Sequence, residues 1–274
     1  MAMNEVVFVK LGGSVITDKA RPETARQDVI ARLAEEVGRA ARARPTMRLV
    51  LGHGSGSYGH AVAHRYGTRH GVRSEADWRG FAEVAAAAAR LNRIVIDAFL
   101  LARSAVWSLQ PSASARCRGG ELVWLDVMAI EEALAHNLVP VVYGDVALDS
   151  LRGATIVSTE QILAYLSREI QPKQLVLVSD VDGVYAGDPM RDPSAEHIPE
   201  ISAANWARVR AVLGRSHATD VTGGMLAKVE VMVELVKEMP ELVVQIVSGE
   251  RVGALEAALC NTGSSAGGTV IRWP

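Results

Sequence analysis

Short runs of β-branched and other apolar residues recur along this chain, separated by longer stretches with apolar positions at helical spacing. The runs VVFVKL (6–11), RLVL (48–51), VWSL (106–109), LVPVVYG (138–144), LVLVS (175–179) and LVVQIVSG (242–249) predict strands. TVIRW (269–273) predicts a strand returning at the sheet edge. The longer stretches predict helices over 25–43, 75–102, 128–136, 159–169, 202–213, 224–238 and 252–260. Most strand runs are apolar at consecutive positions, so both of their faces are covered, and helices separate them. That pattern implies a mainly parallel central sheet with helices on both sides, a three-layer α/β/α sandwich.

The segment GDPMRDPSAEHIPEIS (187–202) holds three prolines and predicts a long loop. A boundary near 165–172 divides the chain into an N-terminal lobe, 1–170, and a C-terminal lobe, 171–274, which can still share one sheet. Two cysteines, Cys117 and Cys260, fit neither a disulfide framework nor a zinc pattern, so a reducing cytoplasm is the expected setting. The N-terminal apolar run is broken by Lys10 and predicts no signal peptide. No stretch reaches the roughly 18 apolar residues of a membrane span. A formal net charge of −2 supplies no global field for nucleic acid or an anionic membrane, so any anionic ligand must meet local positive charge.

The glycines show where such charge is wanted. Gly12 and Gly13 follow the first strand; Gly54, Gly56 and Gly59 follow the second; Gly144 and Gly183 follow later ones; Gly223 and Gly224 open a helix. Ligands of open α/β sheets bind beyond the carboxyl ends of the strands, where glycine lets backbone N–H groups approach phosphate. Turns between strand and helix also use glycine routinely; it is the set that points to phosphate. GSGSYG (54–59) fits G-x-G-x-x-G, but it lies in the second strand–helix unit, and no strand precedes Asp77, the acid at dinucleotide spacing. That excludes a dinucleotide fingerprint, and no P-loop motif occurs. Lys10 ends the first strand beside Gly12, Lys19 follows in the next loop, and Lys228 lies four residues after Gly224. Positioned lysines beside phosphate-sized glycine turns are what phosphoryl transfer requires.

In this order VKLGGSVITDK, GHGSGSYGH, VVYGD, VSDVDGVY and DVTGGMLAKV resemble the successive motifs of the amino acid kinase superfamily, and within it those of the isopentenyl phosphate kinases. The resemblance covers nearly the whole chain. It implies a homodimer whose N-terminal lobe binds the phosphoryl acceptor and whose C-terminal lobe binds ATP with Mg²⁺. It implies transfer of the ATP γ-phosphoryl to isopentenyl phosphate. By position, Lys10, Lys19 and Lys228 match the lysines on the transferring and ATP phosphates, and Gly12, Gly13 and Ser14 match the turn beneath them. Gly54, Ser55, Gly56 and Gly59 match the loop around the acceptor phosphate, His60 the histidine that binds it, and Gly144 and Asp145 the acceptor-side turn. Asp180, Asp182, Gly183 and Tyr185 match the nucleotide-side segment, with Gly223 and Gly224 ahead of Lys228. A histidine after a glycine turn is also an ordinary capping or surface residue; the resemblance selects His60 over His64 and over His53, which reads as packing.

Two positions depart from the family pattern. In STEQ (158–161) Thr159 and Glu160 stand where the family carries glycine and aspartate, and Glu160 is expected to hold the lysines as the aspartate does. Ser55 stands where glycine or alanine is usual. For the acceptor tail, Phe81, Val84, Ala85 and Ala88 on the 75–102 helix, with Val146 and Ile156, are the candidate apolar wall. The competing readings are a fosfomycin-type phosphonate kinase, another amino acid kinase, and a non-catalytic nucleotide-binding regulator.

Overall fold

The computed structural model describes residues 5–68, 71–187, 189, 192, 194–216, 225–261 and 267–273, with backbone alone at 60, 61, 64, 215 and 216. The chain runs through β1 (Glu5–Leu11), α1 (Gly13–Ile16), α2 (Gln27–Ala43), β2 (Met47–His53), α3 (Gly56–Tyr66), α4 (Glu75–Leu101) and β3 (Val106–Ser108). A 3₁₀ turn (Pro111–Ala113) leads to β4 (Arg116–Arg118), β5 (Glu121–Trp124), α5 (Met128–Ala135), β6 (Val139–Tyr143), β7 (Asp145–Asp149), β8 (Gly153–Val157) and α6 (Thr159–Ile170). Then follow β9 (Gln174–Ser179), β10 (Val184–Tyr185), β11 (His197–Ile198), β12 (Glu200–Ile201), α7 (Trp206–Ser216), α8 (Met225–Glu238), β13 (Val243–Ser248), α9 (Ala254–Cys260) and β14 (Gly268–Ile271).

Among the described residues one eight-stranded sheet runs in the order β12-β14-β13-β9-β1-β2-β6-β3. Its neighbours are parallel except β13 and β14. The boundary after residue 170 falls between α6 and β9, and the sheet crosses it through the β1–β9 pair. TVIRW is not the edge strand expected: β14 has β12 on its outer side. β12 and β11 arise inside the proline-rich segment read as loop, two residues each, too short to leave a pattern.

Strand alternation decides what each side chain meets. In β1, Val7, Val9 and Leu11 enter the apolar cluster under α2, α4 and α9, whereas Phe8 enters the cluster under α6 and α8. Lys10 shares the face of Phe8, and so points toward α6 and α8.

Other parts of the fold also escaped the periodicity. α3 is glycine-rich and weakly amphipathic, so its sequence reads as loop. A second sheet, β5-β4-β7-β8, is built from strands of three to five residues. Asp77 is the third residue of α4, where its carboxylate accepts from the Arg73 and Ser74 amides as part of a capping box with Ser74. It caps a helix.

Candidate active site

Because β1, β2, β6 and β9 are parallel, the segments that follow them gather along one edge of the sheet. The turns after β1 and β2 touch through their backbones. A Cβ on Gly13 would lie 2.5 Å from the Gly56 nitrogen, and one on Gly54 would lie 2.8 Å from the Gly13 nitrogen. Gly56 has φ +47°, and a Cβ there would meet the Thr17 hydroxyl at 2.1 Å. That hydroxyl donates to the Gly13 carbonyl (2.7 Å) and accepts from the Ser57 amide (3.0 Å), tying the two turns together. Among the described residues, the amides of Gly13, Ser14, Ser55 and Gly56 donate to no protein group. They sit at the starts of α1 and α3, where unpaired N–H groups favour an anion.

Beside these turns lies the lysine cluster. Lys10 Nζ meets Glu160 Oε1 at 2.9 Å, with side chains only 8 % and 14 % exposed. Lys228, in the first turn of α8, lines the same small cavity, together with Gly12, Ser14 and Ser179. Burial, reinforced by Lys10, holds the Lys228 ammonium below the ordinary lysine range against the pull of Glu160 and Asp180. Burial pushes the Glu160 carboxyl up, but Lys10 and Lys228 outweigh it and keep the group below the usual carboxylate range. At the rim, Lys19 Nζ pairs with Asp180 Oδ2 at 2.7 Å, and Lys19 is 68 % exposed. Three lysines against two carboxylates leave positive charge in excess where the turns converge.

Glu160 is held by helix capping. Ser158 and Gln161 form a reciprocal capping box at the start of α6, which aims the next residues at β1. Thr159 donates to the His53 carbonyl at 2.7 Å, and its methyl group occupies space that a side chain at Gly52 would take.

The remaining candidates spread around this centre. His60 lies in α3, and its side chain is outside the described atoms. Gly223 and Gly224 lie outside the described residues. The Ser55 side chain rests against Gly59, where a Cβ would come within 2.3 Å of its hydroxyl. The Gly144 amide donates to the His53 carbonyl. Asp145 is buried, and its carboxylate accepts from the Ser112 and Val146 amides, fastening the 3₁₀ turn to β7. Val146 and Ile156 face each other across β7 and β8. On α4, Val84 and Ala88 are buried, with Phe81 and Ala85 half-buried. On the nucleotide side the Tyr185 hydroxyl donates to Asp182 at 2.6 Å, and Gly183 leaves room for His197 and Thr269.

Sequence reasoning passed over two connections, and it read His53 as packing without its partners. Thr17 joins both glycine turns; Asp180, named only for the nucleotide, holds Lys19; and His53 is a buried junction whose ring stacks on Tyr143. One signal was legible: S-x-x-Q in STEQ is a capping box, so the departure at Thr159-Glu160 sits on a well-formed helix start.

Comparison with known proteins accords with this geometry. The model of the amino acid kinase family matches residues 5–247. The isopentenyl phosphate kinase of Methanothermobacter thermautotrophicus is 35 % identical over 261 residues, covering 93 % of this chain and 95 % of its own. The chain belongs to the amino acid kinase family, and within it to the isopentenyl phosphate kinases. The enzyme of that name from Haloferax volcanii is 38 % identical over 258 residues, 91 % of this chain and 98 % of its own. A solved isopentenyl phosphate kinase structure superposes with a TM-score of 0.82 at 32 % identity, covering 97 % of this chain and all of that one.

Proposed function

We propose that this protein transfers the γ-phosphoryl group of ATP to isopentenyl phosphate, giving isopentenyl diphosphate and ADP. The observation that carries this reading is the joined pair of glycine turns, with their free amides, beside the Lys10–Glu160–Lys228 cluster. Two anion sites in contact, with cations at the junction, suit a reaction in which donor and acceptor are both phosphates.

The chemistry needs little beyond that. A phosphomonoester has a second pKa near ~6, so at neutral pH it is a dianion and needs no general base. The barrier lies in bringing two anions together in line, which positioning and electrostatic stabilisation lower. In this reading the Ser55 and Gly56 amides and His60 hold the acceptor phosphate. Lys10 and Lys19 neutralise the group in transit, Lys228 holds the ATP side, and Glu160 keeps Lys10 in place. Gly12, Gly13 and Ser14 underlie the ATP phosphates. Phe81, Val84, Ala85, Ala88, Val146 and Ile156 form the wall for the tail.

Mg²⁺ belongs to this reading as the counter-ion of ATP, offsetting phosphate charge. It takes most of its ligands from phosphate and water, and no group of three or more candidate side chains forms a metal cage among the described residues. Asp180, one-third exposed beside Lys19, is the carboxylate that would offer it an oxygen. The homodimer implied by the family is part of the reading, and light scattering tests it.

The deciding experiment is a coupled assay of ADP release with isopentenyl phosphate, dimethylallyl phosphate and fosfomycin in parallel. Preference for isopentenyl phosphate is expected. Preference for fosfomycin, or no turnover of any acceptor, overturns the reading.

A further inference from the structure

His53 ends β2, immediately before the turn that receives the acceptor in the reading above, and it is fully buried. Its Nδ1 lies 3.1 Å from the Gly54 carbonyl, and its Nε2 lies 3.2 Å from the Asn92 side-chain amide on α4. A carbonyl can only accept, so the ring proton is on Nδ1. Burial, with Lys10 nearby, favours the neutral ring, which leaves Nε2 an acceptor. Asn92 must then donate through its Nδ2 and accept the Ser108 hydroxyl on its Oδ1. A half rotation of the amide exchanges its oxygen and nitrogen and keeps both contacts.

The consequence reaches the acceptor turn through one peptide plane. In a trans peptide the carbonyl and the following N–H point in opposite directions. Holding the Gly54 carbonyl therefore sets the direction of the Ser55 amide, one of the free donors at the start of α3. We propose that His53 is a positioning residue: its Nδ1–H anchors the Gly54 carbonyl and so aims the Ser55 amide at the acceptor phosphate. The proposal rests on the function proposed above. The Gly54 carbonyl fixes the tautomer, Asn92 pairs with the remaining ring nitrogen, Tyr143 fixes the ring plane at 12° to its own, and Thr159 and Gly144 hold the His53 carbonyl.

Two substitutions separate positioning from packing. His53→Asn places an amide nitrogen near the position of Nδ1; His53→Gln places one near Nε2. Both lose the stack on Tyr143, so both lower thermal stability. Only His53→Asn keeps a donor for the Gly54 carbonyl. His53→Gln is expected to raise KM for isopentenyl phosphate about tenfold with KM for ATP unchanged within about twofold, and His53→Asn to stay within about threefold of wild type. Equal acceptor KM in the two variants, or parallel shifts in both KM values, overturns the proposal. A long-range ¹H–¹⁵N spectrum of the wild-type protein tests it without any variant: the Nδ1–H tautomer is required, and the Nε2–H tautomer or an imidazolium contradicts it. Wild-type turnover is measured first. Its absence overturns the functional reading and this inference with it, whereas turnover with indistinguishable variants overturns the inference alone.

Discussion

At the end of β1 lysine side chains add full charges to the free amides of Gly13 and Ser14; one strand away, at the end of β2, the described donors are backbone amides. Lys10 is buried and Lys228 half-buried, and Lys10 is held by the largely enclosed carboxylate of Glu160. The turn at Gly54–Gly56 offers the Ser55 and Gly56 amides, and its shape depends on close backbone packing against Gly13. The two designs suit different tasks. A lysine supplies a full charge that can follow a group in transit, and in a low-dielectric site that charge acts strongly. Amides at a helix start supply fixed partial charges, suited to a phosphate that stays where it is bound. Side-chain changes should therefore damage rate in the first region, and backbone changes should damage acceptor binding in the second.

The largest effect is expected from Lys10→Met. It removes a charge from the transfer site and strands Glu160, so kcat should fall by about 10³ or more. Breaking a buried pair from one side should also cost about 3–5 kcal/mol of stability. Steady-state kinetics and urea denaturation check both, and a purely KM effect would break the comparison. Gly56→Ala comes next. With φ +47° and the Thr17 hydroxyl in the way, the added methyl should displace the turn, costing about 1–3 kcal/mol. Acceptor KM should rise about tenfold while ATP KM holds; a rise in both would show that the two turns do not divide the work.

A pH profile sharpens the lysine side. Lys228 sits below the ordinary lysine range because it is buried near Lys10. As pH rises, its cation is lost earlier than that of a free lysine, and kcat/KM should fall on that alkaline limb. Lys228→Arg, which stays charged, should move the limb to higher pH; an unmoved limb assigns it to another group. Ser55→Ala should do least. Its hydroxyl makes no capping bond to α3 and rests on Gly59, so acceptor KM should change by no more than about twofold. A tenfold rise would mean that the hydroxyl itself binds the acceptor.

Much of the larger region was legible in advance. The apolar runs placed the main strands, and period-two alternation in β1 puts Lys10 beside Phe8 on the face of α6 and α8. The resemblance implied that Glu160 holds the lysines, and in the structure its carboxylate lies 2.9 Å from Lys10. The acceptor region was less legible, for physical reasons. α3 contains Gly56 and Gly59, so its helical pattern is faint, and the second sheet is made of strands too short for alternation to build up. Contacts far apart in sequence leave no local trace: Lys19 and Asp180 are separated by 161 positions, and His53 and Asn92 by 39. The Thr17 hydroxyl joins turns that only the fold brings together. Ser55, unexplained from its motif, fills space left by Gly59.

The most direct test is ³¹P NMR of the wild-type protein with ATP, Mg²⁺ and isopentenyl phosphate. The phosphomonoester signal should be replaced by the paired resonances of a diphosphate ester, one formed for each ADP. ADP appearing with inorganic phosphate and an unchanged phosphomonoester, or no consumption of ATP, would contradict it.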